Sequence, residues 1–550
     1  MRAGEGWWSL LMTSVGGNQS GIRGSREPAK AVKASEPTLN EGDAGRIAMH
    51  HAPSAGYADR RPCLLDDASH EQDIEPARDP VRREVRRSDD ALRILVMCNY
   101  DPYNAATVCD HINSFYYFSE HRIFIFSNIG ELPAEFSFDP FDVVVIHYSL
   151  FLAVDAYVPP SVRGRLSAFR GLKLLFIQDE YRFVNRTHDA IKECGIDVVF
   201  TCVPQGEIPK VYPPEKFPRT SFINVLTGYV PEGLKLFQPR PLADRPFMVG
   251  YRGRVYPAWH GEAGREKHEI GRKFLADAKR YNLKCNIAWD EKSRLYGLEW
   301  VRFMQNCRAI LAVESGASVF DFDGTISASV ETFVSVLGLS DKQSRRNRKL
   351  LGEQSPHYKD PESRELYEAI RETFFKEKEN LIDLSQLSPR VFEAATLRTL
   401  LIMYEGQYSG AFKPWQHYIP LRKDHSNMNQ VVEFLHDPVE CAKMIARTYA
   451  EVCENEDYSY RKFISRFDQI VVTHCVPERR SEVPEFTRDQ MDAVRKFYFI
   501  QYPYSLPNPK SRLPRNPIRL LRQLVFPRPG ELGLKDILVR NTLGRLRRLG

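Results

Sequence analysis

Short, almost wholly apolar runs recur along the chain from Leu92 onward, separated by segments whose apolar residues fall at helical spacing. The first series is 93–97 (RILVM), 123–126 (IFIF), 143–146 (VVVI), 172–177 (LKLLFI), 196–200 (IDVVF) and 222–226 (FINVL). A helix is predicted from about Ala105 to Tyr117. Strands buried on both faces read as continuous apolar runs rather than as alternation, and their interleaving with helices predicts parallel sheets. A second series begins at Phe247. It predicts a strand over 247–251, a helix over 263–281, a strand over 285–288, a helix over 297–306 and a strand over 309–313. A charged, helical insertion follows from about Thr325 to Asp383.

After the insertion, Ser388-Pro389 supplies a cap and a first-turn proline, so a helix is predicted to run to Leu397. A buried strand over 399–403, a turn over 406–414, a strand over 418–421 and a long helix over about 437–453 complete the series. The fold class expected is α/β, with two Rossmann-like doubly wound domains. The expected limits are a disordered extension over 1–91, a first domain over 92–240, and a second over 241–475 carrying the insertion 325–385. A basic tail over 476–550 follows.

Charge changes this picture at one place. The chain carries a net charge of +6, whereas from Gln501 onward eleven basic side chains face only Glu531 and Asp536. Ile518, Leu521 and Val525 fall at helical spacing among the arginines. Such a segment suits an anionic membrane surface, and nucleic acid is not expected as a partner. The ten cysteines include no Cys-x-x-Cys pair, so neither a zinc site nor a dithiol motif is indicated and a reducing compartment is expected. No run reaches the apolar length of a membrane span. The expected location is cytoplasmic, peripheral at the inner face of the membrane.

Candidate chemistry gathers where predicted strands end, because ligands in open parallel sheets bind outside the carboxyl ends. Arg252 and Arg254, beside Gly250 and Gly253, suit a diphosphate, with Lys267 following on the next helix. Glu314-Ser315-Gly316 forms a polar, glycine-containing loop at another strand end. His147 closes a strand of the first series, where it could orient or deprotonate an acceptor hydroxyl, and Asp179-Glu180 closes the next.

Phe392-Glu393-Ala394-Ala395 followed by Leu400-Leu401-Ile402 resembles the donor-site helix of GT-B glycosyltransferases of the group-1, mostly retaining kind. The resemblance implies that Glu393 binds the ribose hydroxyls of a nucleotide-sugar. It implies that Arg252, Arg254, Lys267 and Arg390, with Ser315 and Gly316, hold the rest of the donor, and that His147 and Glu314 stand at the reacting centre. Ser385 occupies the position of an earlier family glutamate, and Leu397-Arg398-Thr399 stands where a small glycine is usual. No cofactor or metal is expected. The expected reaction moves a sugar from a nucleotide-sugar to a hydroxyl of a glycan, lipid or protein. Two alternatives stay open: a catalytically silent nucleotide-sugar-binding protein, motivated by Ser385, and a phosphatase of the haloacid-dehalogenase kind using Asp321 and Asp323 of Val319-Phe320-Asp321-Phe322-Asp323-Gly324.

Overall fold

The computed structural model describes residues 91–101, 105–134, 136–336 and 364–482. The expected N-terminal extension up to residue 90, the middle of the insertion and the basic tail from residue 483 lie outside the described residues.

In the first lobe, β1 (Arg93–Cys98), α1 (Ala106–Phe118), β2 (Arg122–Ser127), β3 (Val143–Ile146) and α2 (Pro160–Ala168) alternate, followed by β4 (Leu172–Ile177), α3 (Val184–Cys194), β5 (Val198–Thr201) and β6 (Ser221–Asn224). All six strands pair in parallel, in the order β2-β1-β3-β4-β5-β6. The apolar runs explain this arrangement. β1 and β3 are buried along their whole length, so each needs cover on both faces.

A connector leads to the second lobe. It contains β7 (Phe247–Arg252), α4 (Gly261–Arg280), β8 (Cys285–Ala288), α5 (Gly297–Gln305) and β9 (Cys307–Ala312). The insertion contributes α6 (Thr325–Val336) and α7 (Arg364–Phe374). Then come α8 (Pro389–Thr396), β10 (Leu400–Tyr404), β11 (Ile419–Leu421), α9 (Met428–His436), α10 (Pro438–Thr448) and α11 (Tyr460–His474). The five strands are again all parallel, in the order β11-β10-β9-β7-β8. Both sheets therefore reverse strand order once, the first between β1 and β3, the second between β7 and β9. Those reversals open a crevice at the carboxyl ends.

Three helices tie the lobes together. Helix α11 crosses back, and Phe463, Ile464 and Phe467 join the core beneath β1, β3 and β4 with Phe115 and Phe176. Helices α6 and α7 bring Ile326, Val330, Tyr367 and Ile370 into the core on the other face of the same sheet.

One carboxylate within the first lobe carries a stability consequence. Glu180, at the carboxyl end of β4, is buried and accepts from Thr201 Oγ1 (2.6 Å), from the Cys202 N–H (3.0 Å) and from the Tyr212 hydroxyl. Burial pushes its carboxyl up to about 7, the hydrogen bonds from Thr201, Tyr212 and the backbone opposing it only in part. A carboxyl group whose pKa rises on folding stabilises the fold fully below its unfolded pKa of about 4.3, and that contribution is lost as pH climbs through 7. Glu180→Gln keeps an amide that imitates the protonated acid. The variant should therefore gain on the wild type between pH 5 and pH 8, by up to ~3 kcal/mol. Denaturant midpoints of both proteins at the two pH values check this. Parallel pH profiles would show that Glu180 does not titrate in that window.

Candidate active site

The second lobe's reversal lies between the end of β7 and the end of β9, and the structure brings Arg252, Arg254, Lys267, Arg390 and Glu393 to this end of the sheet. Arg252 continues β7. Its Nη1 donates to the carbonyls of Tyr251 (2.9 Å) and Asn286 (3.0 Å), its Nη2 donates to Asn286 Oδ1 (2.8 Å), and its guanidinium lies 4.2 Å from the Phe303 ring centroid. Burial lowers its pKa. Arg252 thus braces β8 against β7, and its own carbonyl receives the Arg390 Nη1 hydrogen at 2.6 Å. Two residues on, Arg254 turns toward Tyr256, with its guanidinium 5.7 Å from that ring, and Lys267 Nζ of α4 lies 4.4 Å from the same ring. Tyr251 holds α4 in place by donating its hydroxyl hydrogen to the Lys267 carbonyl at 2.6 Å.

Helix α8 begins as the sequence predicts, with Pro389 in its first turn after Ser388, although the Ser388 side chain makes no capping hydrogen bond. Arg390 projects from this first turn and lies 5.9 Å from the ring centroids of both Tyr251 and Trp300. One turn later Glu393 is only 9% exposed. Its Oε2 accepts from Trp300 Nε1 at 2.7 Å, and its Oε1 accepts from Thr107 of the first lobe at 3.3 Å. Burial raises the Glu393 pKa, while the Trp300 hydrogen bond, the Arg390 charge and Thr107 oppose that rise. Trp300 and Thr107 were not legible as partners in the sequence. Trp300 reads as one more apolar residue of α5, and nothing local marks its indole as a donor to a carboxylate 93 residues away.

Glu314 follows β9 and accepts from the Tyr408 N–H at 2.7 Å, which ties the β9 and β10 ends together. Burial raises its carboxyl as well, against backbone hydrogen bonds from Tyr408 and Gln407. Ser315 and Gly316 meet protein backbone. The Ser315 N–H donates to the Gln386 carbonyl (2.7 Å), and the Ser315 carbonyl accepts from the Gln386 N–H (3.0 Å). Gly316 has φ 106°, and a Cβ there would stand 1.9 Å from the Leu384 carbonyl oxygen. That close approach requires glycine.

Facing these groups are the ends of β1 and β3. His147 is fully buried. The Ser149 N–H donates to its Nδ1 at 3.0 Å, so Nε2 carries the proton and donates to His111 Nδ1, also at 3.0 Å. Burial drives His111 down to about 3 and His147 well below its ordinary value, so the pair is neutral. His111 is buried too, packed against Phe115, Phe176 and Phe463, so both imidazoles sit inside the first lobe's core. Asp321 has a different place from the one a phosphatase would need. Its carboxylate accepts from the N–H groups of Ile326 (3.2 Å) and Ser327 (2.8 Å) and so closes the start of α6, while its backbone pairs with Tyr181 and Phe183. Asp323 accepts from Asn185 Nδ2 at 2.5 Å. Among the described residues no three His, Cys, Asp or Glu side chains are grouped to hold a metal ion.

No protein-family model matches the chain, and no curated protein matches it. Solved structures similar to it include an alpha-glucosyltransferase in complex with UDP and a 13-mer DNA containing an HMU base (9% identity, 70% of this chain, 100% of that chain, TM-score 0.40). Others are HepE of Anabaena in complex with UDP and glucose (9% identity, 70% and 100%, TM-score 0.37) and the alpha,alpha-trehalose 6-phosphate synthase of Burkholderia multivorans (9% identity, 72% and 99%, TM-score 0.35). At these scores and identities the likeness is a distant one of layout and carries no argument about what this chain binds or does.

Proposed function

We propose that the chain is a GT-B glycosyltransferase that moves a sugar from a nucleotide-sugar to a hydroxyl acceptor. The observation that carries this reading is the pairing, at one strand-order reversal, of cations with a buried carboxylate: Arg254, Lys267 and Arg390 beside Glu393. A nucleoside diphosphate asks for this division. Its phosphates need positive charge and its ribose diol needs an acceptor, and a carboxylate already oriented by an indole N–H offers one.

In this reading the acceptor's hydroxyl oxygen bonds to the anomeric carbon as that carbon's bond to the diphosphate oxygen breaks; the electron pair of the broken bond leaves with the diphosphate, and the hydroxyl proton passes to the departing diphosphate oxygen. Arg254, Lys267, Arg390 and the amino end of α8 stabilise that departing charge. Glu314, at the end of β9, is the carboxylate assigned to the sugar side. Arg252 supports the site by fixing β8 and presenting its carbonyl to Arg390. His147, with His111, shapes the acceptor side as a neutral pair.

Glu393→Ala should weaken nucleotide-sugar binding about tenfold to a hundredfold, the value of one or two hydrogen bonds to a charged group. Calorimetric titration with UDP-, GDP- and ADP-glucose checks it, and unchanged affinity for the nucleotide that binds would remove Glu393 from the site. Release of free nucleotide during the same incubation separates the enzyme from a silent binding protein, the reading favoured by Ser385.

The acceptor belongs to the same proposal. The excess of basic residues from Lys510 to Arg548 suits docking on an anionic bilayer, where each contributes about 1 kcal/mol. Full-length protein should sediment with anionic vesicles at low salt, release at high salt, and lose the effect when residues 507–550 are removed. Equal sedimentation of both proteins would end the membrane reading.

A further inference from the structure

The chain crosses from the second lobe to the first within three residues. Tyr458 packs on Phe392 of α8, with ring centroids 5.7 Å apart. Tyr460, the first residue of α11, lies against His111 of α1 (6.2 Å) and Tyr229 of the connector (5.4 Å). Two bonds fix the crossing. The Val230 N–H donates to the Tyr458 carbonyl at 2.9 Å, and Ser459 Oγ caps α11 by accepting from the Lys462 N–H at 3.1 Å.

This crossing brings Tyr460 beside the Glu393 carboxylate. Thr107 and His111 are one turn apart on α1 and share a face. Thr107 meets Glu393, and His111 meets Tyr460. The helices α1 and α8 approach closely here: a Cβ on Gly228 of the connector would stand 3.1 Å from both Thr107 and Pro389.

Tyr460 is 3% exposed, and among the described residues its hydroxyl has no hydrogen-bond partner. Other buried tyrosines of the molecule spend theirs on protein. Tyr251 donates to the Lys267 carbonyl (2.6 Å), Tyr408 to the Tyr404 carbonyl (2.5 Å), and Tyr404 pairs with His425 Nε2 (3.0 Å). A buried hydroxyl left unpaired costs about 1–3 kcal/mol, and phenylalanine would fill the same space without that cost. Burial holds the Tyr460 pKa well above the ordinary tyrosine value, and Asp110, Tyr148, Tyr229 and Glu393 raise it further. The oxygen therefore keeps its hydrogen and stands ready as a donor.

We propose that Tyr460 is a further residue of the donor site, whose hydroxyl donates to an oxygen of the ribose that Glu393 holds. The assignment rests on Glu393 being the ribose carboxylate of the proposed function. A ribose hydroxyl both donates and accepts. Glu393 takes its hydrogen, and the Tyr460 O–H meets its lone pair, so that one side chain from each side of the seam holds one sugar. A nucleotide lacking that hydroxyl loses both partners, which makes the pair a discriminator of ribose from deoxyribose.

Full-length wild type, Tyr460→Phe and Glu393→Ala are titrated calorimetrically with UDP, GDP and ADP, and then with the 2′-deoxy and 3′-deoxy forms of whichever binds. Tyr460→Phe should bind the ribonucleotide about three- to tenfold more weakly than wild type, the value of one hydrogen bond. It should bind at least one of the deoxy forms as tightly as wild type does. Its denaturant midpoint without nucleotide should be no lower, because only an unpaired oxygen has been removed. If Glu393→Ala weakens the ribonucleotide and Tyr460→Phe does not, the role of Tyr460 is overturned and the proposed function stands. A loss that is equal for all three nucleotides, or a lowered midpoint, would show that the hydroxyl serves the fold and would also overturn it. If no nucleotide binds the wild type, the proposed function fails and the role of Tyr460 falls with it.

Discussion

The arrangement of the crevice depends on a short strap, residues 384–387, that runs between the carboxyl ends of the two sheets. Its backbone pairs with Ser315 through two hydrogen bonds, possible only because Gly316 lets the Leu384 carbonyl approach. Gln386 Nε2 donates to the Cys202 carbonyl at 3.1 Å, and Thr227 Oγ1 donates to the Leu387 carbonyl. Thr227 in turn accepts from Gln178 Nε2 at 3.0 Å through its own carbonyl. The strap therefore touches the segments that follow β5, β6 and β9, reaches the end of β4 through Thr227, and delivers the chain into α8. The positions of Arg390 and Glu393 follow from where α8 starts, and that start is set by backbone pairing rather than by a side-chain cap.

A second regularity is how the arginines of this lobe are satisfied. Arg245, Arg252 and Arg390 donate to carbonyl, amide or hydroxyl oxygens, and none has a carboxylate within ion-pair distance among the described residues. A guanidinium bonded to neutral oxygens keeps its shape and its hydrogen bonds but also keeps its field. The contrast lies on α4, where Arg272 is neutralised by Glu269 at 2.9 Å. The outer helix compensates its arginine with a carboxylate, while Arg245 and Arg252 are held in place by carbonyl, amide and hydroxyl oxygens alone.

Much of the fold was legible because parallel strands buried on both faces leave continuous apolar runs. The strands predicted over 143–146, 172–177 and 285–288 are observed with those bounds, and the others shift by one or two residues, as at Val198–Thr201 against 196–200. The destination of α11 was not legible, because helical spacing shows that one face is buried without showing against what. Its Phe463 and Phe467 reach the first lobe's sheet more than 200 residues back. The cation-rich strand end at Arg252–Arg254 could be read because its residues are adjacent. The roles within it could not. Arg252 turns to Asn286 while Arg254 turns to Tyr256, because Arg252 still belongs to β7 and pairs beside β8 whereas Arg254 lies beyond the strand's end, a difference out of reach of residue type. Likewise Arg398 was visible as a departure from a glycine, but its partners come from the connector and from Tyr449.

The seam between the lobes limits how a ligand enters. Backbone bonds from Phe183 to Asp321 (2.8 Å) and from Asn185 to Phe322 (3.0 Å) join the first lobe to the segment before α6. Arg182 adds bonds to Ser327 (2.9 Å) and Glu331 (3.1 Å). At about 1 kcal/mol net for each neutral bond, and more for those of Arg182, separating the lobes along this edge would cost several kcal/mol before any apolar surface is exposed. The opposite edge differs. There Thr107 meets Glu393 at 3.3 Å, longer than a well-formed hydroxyl–carboxylate bond and much longer than the 2.7 Å bond from Trp300 to the same carboxylate. On the proposed reading a ribose hydroxyl at Glu393 replaces Thr107 and leaves the Trp300 bond in place. The insertion side is thus joined by backbone bonds and the bonds of Arg182, while at Glu393 the lobes meet through one long hydroxyl contact, with the strap's bonds to Cys202 and Thr227 beside it.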